Sequence, residues 1–100
     1  MLKAQQHLVE SDHFQQIGNH HVNVIKDRDG KVMFKSFIYF QTVICFANYK
    51  EGVFYTDNGG YATRSTSRAI RGYEDYFNEG LGYTQVTKKD FDTKYHPSCY

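Results

Sequence analysis

From Phe37 to Tyr49 the chain reads Phe-Ile-Tyr-Phe-Gln-Thr-Val-Ile-Cys-Phe-Ala-Asn-Tyr, which is apolar on both faces of any strand drawn through it. A strand covered on one side alternates apolar and polar residues, so this run belongs at the centre of a sheet. It calls for a helix on one face and some cover on the other. The pattern does not fix which residue faces which way, because a slip of one position exchanges the two faces.

The flanking segments supply neighbours for that strand. His21 to Lys26 has strand composition, Asp27-Arg28-Asp29-Gly30 is a turn, and Lys31 to Ser36 resumes as strand, which together make a hairpin. Lys50-Glu51-Gly52 turns the chain again, and Val53 to Asp57 returns antiparallel to the central run. Gly82 to Thr87 reads as a last strand. Residues 1–19 are polar and glutamine-rich and read as an arm or short helix, and residues 92–100 as a polar tail, with Phe91 just before it and Tyr95 within it as aromatic anchors.

One convincing helix remains, over about residues 66–79. Ala69, Ile70, Tyr73 and Phe77 form the stripe that faces the sheet, hydroxyls compete for its N-cap, and Gly80 stops it. The fold class is therefore α+β: an antiparallel sheet of four or five strands in hairpin order with this helix on one face. Tyr39, Phe40, Ile44, Phe46, Phe54, Ile70, Tyr73 and Phe77 are the expected core.

A chain of 100 residues with 40% apolar content and a single proline builds one domain, residues 1–100, around one modest core. Nine Tyr and eight Phe must supply much of it, and so many tyrosines leave some for the surface, where contact faces are often rich in them. A formal charge of +1 fits neither a polyanion mimic nor a strongly basic coat for nucleic acid, so any electrostatic partner meets a local patch. There is no apolar run of membrane-spanning length and no secretion signal at the start, so a cytoplasmic setting without membrane contact is expected.

That local patch lies at the start of the helix. All the arginines except Arg28 fall within Arg64, Arg68 and Arg71, on one side of the helix, just after a glycine turn and beside Ser65 and Thr66. Cations at a helix N-terminus and Glu74, Asp75 and Glu79 in its later turns oppose the helix dipole, and a bound anion would repair part of that mismatch. The plainer reading is that Asn58-Gly59-Gly60 supplies positive backbone dihedrals for a tight exit from a strand, with the hydroxyls as redundant caps.

Asn58-Gly59-Gly60-Tyr61, then Thr63, Ser65 and Thr66, then Ile70, resembles an N-G-G-aromatic-x-T-x-[ST]-T helix-start motif found in small bacteriophage-encoded domains. The resemblance covers the middle third of the chain. It implies a phage-type origin and a host-cell cytoplasmic setting, and it brings no catalytic residue.

Other chemistry is poorly represented. The chain lacks G-x-x-x-x-G-K-[ST], C-x-x-C, H-E-x-x-H and G-x-S-x-G, and the adjacent His20 and His21 point to opposite faces of a strand. Cys45 reads as a small buried hydrophobe, and Cys99 lies next to the C-terminus. No enzyme activity, cofactor or metal is expected. The expected function is that of an inhibitor docking on a host protein or nucleoprotein defence complex, in the manner of anti-CRISPR proteins. Tyr55, Tyr61, Arg64, Ser65, Thr66, Arg68 and Arg71 are the candidate binding residues. The alternative is a small DNA- or RNA-binding module gripping phosphates through Arg64, Arg68 and Arg71, and a homo-dimer is compatible with either.

Overall fold

The computed structural model describes residues 1–100. Six strands form one sheet in sequence order: β1 (Gln15–Ile17), β2 (His20–Lys26), β3 (Val32–Tyr39), β4 (Thr42–Asn48), β5 (Val53–Thr56) and β6 (Thr84–Gln85). Neighbours from β1 to β5 pair antiparallel, as hairpin order dictates. The fold is α+β with one main helix laid on the sheet. That helix is α2 (Arg64–Glu74), continued by a π-helical segment (Asp75–Gly80), with α1 (Lys3–Glu10) and α3 (Lys88–Lys94) beside it in the chain.

The apolar run at residues 37–49 is not one strand. It breaks at Phe40 and Gln41, and its two halves fold back as the β3–β4 hairpin, in which Phe37 faces Cys45 and Tyr39 faces Thr42. Each half thus buries its apolar residues against the other half and against the helices, which a single strand of that length would not do. Gln41 and Thr42, the polar pair within the run, stand at the fold-back. A bulge between Phe37 and Ile38 puts both Ile44 and Cys45 in the main core.

That core lies between the sheet and the two helices α1 and α2. It holds Leu8, Val22, Phe37, Phe54, Tyr73 and Phe77 together with Ala69 beneath the helix. Ile44, Phe54, Tyr73 and Phe77 are buried as expected, whereas Tyr39, Phe46 and Ile70 are half-buried. Phe40 is a correction: it stands 59% exposed in the turn.

The N-terminal segment is ordered as helix α1 and edge strand β1, tied in by Lys35. The Lys35 ammonium is buried, donates to the Val9 carbonyl at 2.6 Å and lies 5.4 Å from the centre of the Tyr49 ring. In the C-terminal segment α3 and a short 3-10 turn (Pro97–Cys99) fold onto the opposite face of the sheet, and residues 92–100 stay exposed or half-buried. Phe91 is fully buried there in a second cluster with Val53 and Tyr55, and the Asn48 carboxamide donates to the Tyr95 carbonyl at 2.9 Å.

The last strand also differs from a hairpin. After the helical crossover β6 pairs parallel to β5, with Val53 opposite Thr84. A chain that leaves a strand, runs back along the sheet as a helix and returns must arrive parallel to the strand it left.

Candidate functional site

Three turns lie together at one end of the sheet: Gly18 and Asn19 between β1 and β2, Phe40 and Gln41 between β3 and β4, and residues 57–63 between β5 and α2. The last of these is built by its sequence. The Asn58 side-chain oxygen accepts from the Gly60 N–H at 2.8 Å, and Gly59 and Gly60 both take positive φ, at 61° and 85°. A Cβ on Gly59 would fall 2.5 Å from the Thr42 methyl, so the backbone here presses against β4 where only glycine fits.

Thr63 then caps α2. Its hydroxyl accepts from the Thr66 N–H at 3.2 Å and donates to the Thr66 hydroxyl at 2.8 Å. The helix therefore begins at Arg64, two residues before the expected start. Thr66 is buried, and its hydroxyl accepts from the capping Thr63. Ser65 remains exposed.

Arg64, Arg68 and Arg71 are all exposed, and none takes part in an ion pair; the ion pairs of the molecule involve His13, Lys26 and Lys88. Positions i, i+4 and i+7 lie on one side of the helix, so the guanidinium groups form a stripe. Arg68 and Arg71 border a shallow hollow of about 160 Å³ with Leu2, Gly72 and Asp75, and Arg64 does not reach it. Glu74, one turn beyond Arg71, faces the sheet. Its carboxylate accepts from the Thr56 hydroxyl at 3.0 Å and from the Gln85 amide at 2.8 Å, which keeps it away from the arginines.

The three turns enclose a groove of about 600 Å³. Tyr39, Phe40 and Tyr61 supply aromatic walls, and Tyr61 is 62% exposed. Phe40 has φ of 57°, the one positive value among residues other than glycine. Positive φ at the first of two loop residues is the sign pattern of a type II′ hairpin turn, whose first position favours glycine. A bulky L-residue there costs about 1–2 kcal/mol. The Phe40 N–H is anchored to the Asn19 carbonyl at 2.8 Å, and its ring meets Tyr39 edge-on at 4.7 Å. Tyr39 in turn stacks on His20 at 4.6 Å.

Of the candidate binding residues, Tyr61, Ser65 and Thr66 line this groove, while Arg68 and Arg71 border the neighbouring hollow. Tyr55 corrects the sequence reading. It is 4% exposed, packed on Phe91 at 5.0 Å, and burial pushes its phenol up to about 12. Phe40, Asn19 and Gln41 were missed as site residues. Gln41, a carboxamide in the middle of an apolar run, was the one available signal.

Cys45 is fully buried, and burial pushes its thiol well above the ordinary range, away from nucleophilic use. No group of three or more His, Cys, Asp or Glu side chains is placed to hold a metal ion. No helix is long and apolar enough to cross a membrane. No family model, curated protein or solved structure matches this chain.

Proposed function

We propose that this chain is a non-catalytic docking protein of bacteriophage type, an inhibitor that sets its Tyr61, Arg64, Arg68 and Arg71 face against an acidic surface of a host defence complex, in the anti-CRISPR manner. The observation that carries this reading is the exposed arginine stripe with no carboxylate of its own molecule in ion-pair contact. Guanidinium groups offer planar, bidentate donors to carboxylates, and arginine and tyrosine are enriched among the residues that dominate binding energy. The net charge of +1 favours a local acidic surface over the continuous charge of a nucleic acid.

Charge reversal tests it. Arg68→Glu, and the triple reversal with Arg64→Glu and Arg71→Glu, would be compared with the parent protein in inhibition of host defence and in retention of a captured host complex. Loss of both in the reversed variants, with thermal stability unchanged, is the expected result. If the parent protein instead binds oligonucleotides near physiological salt with affinity falling steeply as salt rises, the arginines serve phosphates and the docking reading is wrong. Undiminished inhibition by the triple variant would also overturn it.

A further inference from the structure

The groove between the three turns differs chemically from the arginine face beside it. No Lys, Arg, Asp or Glu lines it, so it is not built for a charged group. Its volume of about 600 Å³ is that of a small-molecule site. Its walls combine exposed aromatic faces with carboxamides that retain hydrogen-bonding capacity. Gln16 uses its amide nitrogen on the Gly18 carbonyl at 3.2 Å, and Asn58 uses its oxygen on the Gly60 N–H, while Asn19 and Gln41 make no side-chain hydrogen bond within the protein.

Phe40 is the second observation. A phenylalanine holds a turn position that glycine would occupy without strain, and the residue is 59% exposed at the groove rather than buried. Its aromatic contact within the chain is the edge-on one with Tyr39, which leaves most of the side chain open. Backbone strain of this kind clusters at ligand-binding sites, which directs attention to what the exposed Phe40 side chain presents.

We infer that the groove binds a nucleobase, carried by a free nucleoside or an unpaired nucleotide, with the base against the rings of Phe40 and Tyr61 and its edge met by carboxamides. Aromatic faces accept any base by stacking, and an Asn or Gln amide pairs a donor and an acceptor in the geometry of a base edge. A pyranose presents hydroxyls in several directions and no flat edge, so it uses this combination less completely. The inference shares Tyr61 with the docking face but needs none of its arginines, so loss of function on arginine reversal leaves it standing.

The test is a titration of the purified protein with adenosine, guanosine, cytidine and uridine, followed by NMR, with a methyl glucoside as comparator. Saturable shifts at the Phe40 and Tyr61 signals with at least one nucleoside are expected. Tyr61→Ala and Phe40→Gly should each weaken binding about tenfold. Phe40→Gly should do so with its thermal midpoint undiminished, because glycine adopts the turn freely. Asp29→Asn, in the exposed turn at the other end of the sheet, should bind like the parent protein. No saturable shift with any nucleoside, binding of the glucoside as tight as that of the nucleosides, or full affinity in Phe40→Gly would overturn the inference.

Discussion

The carboxamide of Gln5 lies over Gly72, so close that a Cβ on the glycine would come 2.5 Å from its oxygen. Gln5 is fully buried between α1 and α2. Its nitrogen donates to the Ala69 carbonyl at 2.7 Å and its oxygen accepts from the Leu2 N–H at 3.1 Å. A glycine in mid-helix, unfavourable by about 1 kcal/mol against alanine, is thus the residue that lets one helix approach the other. Gly72→Ala should destabilise by about 1–2 kcal/mol despite its better helix propensity, because the buried amide must give up a partner. Urea unfolding measures this. Adding Gln5→Ala should remove much of the penalty, so that the double variant loses less than the sum of the singles.

Phe91 locks the C-terminal helix to the sheet through Phe46 at 5.1 Å and Tyr55 at 5.0 Å. Phe91→Ala should cost about 3–5 kcal/mol, the range for emptying a buried aromatic site. The measurement is again denaturant unfolding. A loss under about 1 kcal/mol would mean that α3 is not part of the cooperative unit.

His20 gives the fold a sensitivity to mild acid. Burial against Tyr39 lowers its pKa below the ordinary 6.5. Below pH 6.5 the unfolded chain takes up a proton at this position more readily than the folded one, so stability is lost as pH falls from that value through the folded pKa. Thermal midpoints measured from neutral pH down to mildly acidic pH should decline, and His20→Gln should flatten that decline.

At alkaline pH the tyrosines act in the opposite sense. Burial raises the phenols of Tyr49, Tyr55, Tyr73, Tyr76 and Tyr83, with Tyr55 pushed up to about 12. Above the ordinary value of 10 the unfolded chain loses these protons first, so stability falls as pH rises from 10 towards 12. Ultraviolet absorbance should show one group of tyrosines ionising with the fold intact and a second ionising together with unfolding.

The alternation and turn chemistry of residues 21–36 made the β2–β3 hairpin legible, and the stripe of Ala69, Tyr73 and Phe77 made the main helix legible. The run at 37–49 was harder, because an all-apolar pattern carries no period. Only pairing of its two halves shows that Phe40 leaves the core. Tyr55 and Tyr61 are the same residue type and have opposite fates, decided by α3 folding over one and nothing folding over the other. The parallel return of β6 follows from the helical crossover between β5 and β6 rather than from the composition of Thr84 and Gln85. The arginine stripe was readable because helical spacing alone places it, whereas the groove, assembled from three distant turns, was not.

All three groove-forming turns sit at one pole of the sheet, while the 27–30 and 50–52 turns sit at the other. A fluorophore, affinity handle or surface tether attached at Asp29 or Glu51, both exposed, therefore reports on the molecule from the far side. Immobilised through either position, the protein presents the groove outward and unhindered.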